Sequence, residues 1–111
     1  MSRPYRPLRE LEAHLGRGEL DFAIALAKVA ARERRRPLEL TLMVRFLPLV
    51  AVQRPEAFDG WALRWLERWC RELGGVASVD EAVEVAEGLA EIPVDPESAL
   101  QRIRGITDRH G

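Results

Sequence analysis

Three tryptophans, Trp61, Trp65 and Trp69, stand four residues apart, and Arg64, Arg68 and Arg71 interleave with them. Indole rings beside guanidinium groups can do two kinds of recognition chemistry. They can stack on nucleic-acid bases along a basic groove, or anchor a protein interface, where Trp and Arg carry much of the binding energy. On a helix, at about 100° per residue, the three rings line one side of the cylinder. Ala62, Leu66, Leu73, Cys70 and Leu63 extend the apolar arc to roughly 200° of the circumference, against the ~100° stripe that an ordinary surface helix needs. A base-stacking platform requires exposed rings, whereas these join an unbroken apolar arc, so most of the row is expected in the core. Trp61, at the edge of the arc near Arg68 and Glu72, is the candidate exposed anchor. Trp65, Arg68 and Met43 of the preceding apolar segment complete the candidate interaction residues.

A second constellation is the basic cluster Arg32, Arg34, Arg35 and Arg36, followed by Pro37. It is the candidate phosphate contact if the chain is instead a nucleic-acid-binding accessory protein. Cations at a helix C-terminus also complement the helix dipole without any ligand, and Glu33 dilutes the charge. A helix-turn-helix over residues 71–88 fails on sign, because Asp80, Glu81, Glu84 and Glu87 would face phosphates.

Catalytic chemistry is thinly represented. His14 and His110 lie near opposite ends of the sequence, and neither has a second ligand at metal-binding spacing. Cys70 falls inside the apolar arc and has no adjacent histidine, which predicts an inert buried thiol. Glu84, Glu87 and Glu91 share a face that could hold a divalent cation, but such a row is ordinarily solvated. A glycine-rich phosphate loop, a CxxC pair and a serine elbow are absent from the sequence. The expectation is a non-enzyme with no cofactor and no metal.

The composition frames these residues. The 111 residues fit one domain, are 47% hydrophobic and 32% charged, and carry a net charge of −1. That balance excludes polyanion binding by bulk charge. Yet residues 1–55 hold eleven Arg/Lys against six Asp/Glu, and residues 56–111 six against twelve, giving halves of +5 and −6. Sixteen arginines against one lysine, with no asparagine, point to a GC-rich, bacterial genome. The single cysteine fits a reducing compartment. The first seven residues lack a signal-peptide apolar region, and the most apolar segment, residues 42–52, is too short to span a bilayer. A cytoplasmic protein without membrane contact is expected.

The elements that must position these residues read as helices throughout. Residues 8–15 form a first helix with Leu8, Leu11 and Leu15 on one face, closed by Gly16 and Gly18. Residues 19–34 form a second, apolar on most sides. Residues 38–46 alternate like a strand, but no second alternating run or hairpin turn offers a partner, so the segment is assigned to helix, broken at Pro48. Asp59 is the expected N-cap of the tryptophan helix, which stops at Gly74. Ser78 and Glu81 form a capping box for a fifth helix, and Asp95-Pro96 opens a sixth. The predicted fold is all-α: a compact bundle, or stacked pairs, of five to six short antiparallel helices in one domain over residues 1–111, with residues 1–6 and 107–111 flexible. Phe22, Leu26, Val29, Phe46, Leu47, Leu63, Leu66 and Leu89 are expected in its core. More apolar helix surface is present than so few helices can enclose, which predicts a protein–protein interaction or self-association module, with a homodimer or a protein partner contacting Trp61 and the third helix.

Overall fold

The computed structural model describes residues 6–110. They form α1 (Arg6–Gly16), α2 (Leu20–Arg34), α3 (Leu40–Met43), α4 (Leu47–Gln53), α5 (Pro55–Leu73), α6 (Val79–Glu91) and α7 (Pro96–His110), with a 3-10 turn at Val44–Phe46. Helix and 3-10 turn cover 83% of the described residues, and none of them is in a strand. The all-α expectation holds. The third segment divides at Val44–Phe46, not at Pro48. Pro48 sits in the first turn of α4, where its missing N–H costs no helical bond.

The ends of the helices follow from local chemistry. At the end of α1, Gly18 adopts φ 73°, and the amides of Gly18 and Glu19 return to the carbonyls of Leu15 and His14. The end of α2 repeats this motif with an arginine: Arg35 has φ 55°, and the amides of Arg35 and Arg36 bond to Arg32 and Ala31. At the start of α6, the Glu81 amide donates to Ser78 Oγ (3.1 Å) and the Ser78 amide to Glu81 Oε1 (2.9 Å), which is the expected capping box. Asp59 is not an N-cap. Pro55 opens α5 a turn earlier, its fixed φ being suited to a first helical position, and Asp59 lies inside the helix.

Consecutive helices pack as pairs: α1 on α2, α4 on α5, and α6 on α7. The molecule measures 38 × 32 × 21 Å, and its thinnest dimension is two helix diameters, so the pairs make a two-layer body. In the last pair the backbones come close at Gly88, where an added Cβ would lie 2.8 Å from Ile103 Cγ1. The centre is filled by Leu11, Leu20, Phe46, Leu47, Trp69, Ile92 and Ile103, all buried.

The core differs from the expected set. Phe46, Leu47 and Leu89 are buried as predicted, and Leu26 and Leu66 are half-buried, but Phe22 (63% exposed), Val29 (42%) and Leu63 (58%) face outward. Helix phase explains all three. Helix α2 turns Leu20, Ala23 and Ala30 inward, the alanines admitting close neighbours; Phe22 lies two residues from Leu20, roughly 200° away around the helix. Leu63 stands in the same relation to buried Trp65. Cys70, expected inside, is exposed for the same reason. The tail expected to be flexible from Thr107 instead continues α7 to His110, because Thr107 is itself buried. Arg6, also expected flexible, begins α1, whereas residues 1–5 and Gly111 lie outside the described residues. No helix among the described residues is long and apolar enough to cross a membrane.

Candidate functional site

Helix α5 divides its tryptophans between two tasks. Trp65 and Trp69 are buried and spend their polar edges on the fold: Trp65 Nε1 donates to the Leu40 carbonyl (3.0 Å), and Trp69 Nε1 to Thr107 Oγ1 (3.0 Å). They fasten α5 to α3 and α7. Trp61, one turn earlier than Trp65, is half-buried, its ring stacked on buried Phe46 with centroids 6.0 Å apart. An aromatic ring fixed from behind and open in front keeps little rotamer entropy to lose, which suits a binding anchor.

Two apolar grooves share Trp61 and Met43 as a common wall. One, of about 260 Å³, runs between α2 and α3 and is lined by Ile24, Ala31, Pro37, Phe46 and Lys28. The other, of about 270 Å³, runs along α5 and is lined by Leu47, Trp65, Arg64 and Arg68. Their charged members are Lys28, Arg64 and Arg68, and no carboxylate contributes to either lining. Arg68 is held by Glu72 one turn on. Lys28 and Arg64 form no ion pair among the described residues. Thus all four interaction candidates from the sequence, Met43, Trp61, Trp65 and Arg68, meet at one surface, with Trp65 contributing from a buried position.

The other candidates lie elsewhere. Arg32, Arg35 and Arg36 are exposed at the end of α2, while Arg34 bonds Glu39 (2.8 Å) across the turn, holding that carboxyl below its usual range. His14 lies 3.0 Å from Glu19 and stacks on Phe22; contacts first from Arg17 and then from His14 lower the Glu19 pKa. His110 sits 2.9 Å from both Glu81 oxygens, where the last turn of α7 meets the first turn of α6. Glu87 and Glu91 both reach Arg102 on α7, at 3.0 and 3.8 Å, so their row is partly an inter-helix ion-pair seam. Among the described residues no group of three or more His, Cys, Asp and Glu side chains is placed to hold a metal ion.

Sequence reading missed one surface. Val79, Val83, Ala86 and Ala90 recur at helical spacing along the outer face of α6, with Val79 and Val83 exposed. Exposed Leu63 of α5 and Ala86 and Ala90 of α6 line an adjoining groove of about 340 Å³. The spacing was the available signal, but spacing alone does not say which face turns outward, and the inward face is the one marked by Gly88 with Val85 and Leu89. No protein-family model matches the chain, and no curated protein or solved structure matches it either.

Proposed function

We propose that the chain is a helical protein–protein interaction module that receives an amphipathic helix, apolar on one face and flanked by carboxylates, in the grooves beside Trp61 and Met43. The observation that supports this reading is the coincidence of a braced aromatic ring, a methionine and a purely cationic charged lining on one surface. Methionine is unbranched and adapts to varied apolar partners. Interfaces concentrate their energy in such aromatic anchors surrounded by a polar rim. Lys28 and Arg64 would contribute chiefly to encounter rate and orientation, since exposed ion pairs stabilise by only about 0–1 kcal/mol. No catalytic role belongs to this reading.

The test is a titration with two designed helical peptides that share leucines at i, i+3, i+4 and i+7 and differ in glutamate or lysine flanks. Because Trp61 and Trp65 line the groove and Trp69 does not, a shift in tryptophan emission on binding reports on the groove wall. Saturable binding of the glutamate peptide is expected, at least tenfold weaker for the lysine peptide and for Met43→Arg. Equal binding of both peptides, or no effect of Met43→Arg, would overturn the proposal. Salt-dependent binding to random duplex DNA without peptide binding would move the function to Arg32, Arg34, Arg35 and Arg36.

A further inference from the structure

We propose that the helix received by the Trp61–Met43 grooves is α6 of a second copy, so that the chain assembles head to tail. This rests on the groove reading above and names its partner. The outer face of α6 has the required chemistry: Val79, Val83, Ala86 and Ala90 form an apolar stripe, and Asp80, Glu84 and Glu87 run along one flank. Glu87 is engaged by Arg102, but Asp80 and Glu84 are exposed and form no ion pair among the described residues. They are the counterpart of Lys28 and Arg64, the unpaired cations of the grooves.

Charge sign selects among the self-associations open to these two surfaces. A two-fold contact of stripe against stripe would set the acidic flanks against each other when the helices run antiparallel and leave them without cations when they run parallel, and groove against groove would offer the cations no anion. Like or unmatched charges disfavour both arrangements. Groove against stripe alone pairs apolar with apolar and cation with anion.

The fold then decides the form of the assembly. Trp61 and Leu63, which mark the two surfaces on α5, are two residues apart and so roughly 200° apart around the helix. The surfaces therefore occupy opposite flanks of α5, and one contact leaves a free groove on one copy and a free stripe on the other. Such a heterologous contact propagates unless its rotation closes a ring.

Light scattering behind size exclusion, across a hundredfold range of concentration, tests this with the full chain. The wild type is expected to grow in mass past the dimer, and less so at high salt, because the paired charges lie at the exposed rim. Val83→Arg removes the stripe, and Met43→Arg removes the groove; Arg64→Glu, at an exposed residue, serves as a second groove variant should Met43→Arg unfold by circular dichroism. Each variant alone should be monomeric. An equimolar mixture of a stripe variant and a groove variant retains one intact contact and should stop at a 1:1 dimer. A wild type that stays monomeric throughout, a mixture that stays monomeric, or a mixture that grows like the wild type would each overturn the proposal. Binding of the glutamate-flanked peptide to a monomeric wild type would leave the groove reading standing and remove only the second copy as its occupant.

Discussion

Replacing Thr107 with valine should destabilise the fold although the two side chains have nearly the same shape. Thr107 is 5% exposed, accepts the Trp69 indole N–H at 3.0 Å and donates its own hydroxyl to the Ile103 carbonyl at 2.7 Å. Valine fills the same space and removes the acceptor. The Trp69 ring is fully buried, so no solvent replaces the lost partner. An unsatisfied buried donor costs about 1–3 kcal/mol. The Ile103 carbonyl keeps its helical bond, so the penalty is confined to the indole. For a chain of this size that corresponds to a fall in Tm of about 4–12 °C. Urea melts followed by far-UV circular dichroism measure the loss without relying on tryptophan emission. The control is the same change in a Trp69→Phe background, where no N–H remains to orphan and the cost should shrink to within about 0.5 kcal/mol; the difference between backgrounds is the coupling energy. An equal cost in both backgrounds would refute the reasoning, because the loss would then arise from packing and not from the hydrogen bond.

Glu81 should make the fold acid-sensitive. Bonds first from the Ser78 amide and then from His110 hold its pKa at about 2, against an ordinary 4.5. A lowered folded-state pKa means the carboxylate's contribution is full above pH 4.5 and is lost as pH falls from there toward 2. Glu81→Gln, which keeps a capping side chain, should lower Tm at pH 7, and the gap should close by pH 2; a constant gap would contradict the electrostatic account. Phe46→Ala should cost about 3–5 kcal/mol in denaturant melts, whereas Phe22→Ala, on an exposed ring, should cost less than about 1 kcal/mol. Comparable losses would show that the α2 phase is wrong. Arg35→Gly should raise stability by roughly 0.5–1 kcal/mol, because φ 55° strains an L side chain and suits glycine at a helix C-terminus. A loss measured by thermal melt would show that the arginine side chain contributes more than its backbone costs.

Signals confined to a few neighbouring residues were legible in the sequence. Ser78 with Glu81, Gly18 after α1 and Pro96 after Asp95 each mark a helix end through bonds made within five residues, and each stands where it was expected. Helix phase was less legible, because size is a poor guide to direction. Ala23, Ala30 and Gly88 point inward since close helix approach favours small residues, and that rotates Phe22 and Val29 of α2 and Val83 of α6 outward. Thr107 read as a polar tail residue because its partner, Trp69, is far away in sequence. The candidate site mixed both kinds of information. Trp61 stood out by its position on the arc, but the meeting of Met43 and Trp61, and the addition of Lys28 from α2, are products of tertiary packing.

The pairing of consecutive helices has a kinetic consequence. Each pair closes over a connection of only a few residues, so most contacts form between segments already near one another in the chain. Little loop entropy opposes them, and folding in microseconds to milliseconds is the regime of such local topologies. Bonds between more distant elements include Gln53 to the Gly18 carbonyl, Arg54 to Asp21, Trp65 to the Leu40 carbonyl and Trp69 to Thr107. These join one hairpin to the next, so they are the natural boundaries between cooperative units of opening. Amide exchange should accordingly divide the chain by hairpin, with Thr107→Val releasing α6 and α7 to exchange ahead of α1 and α2.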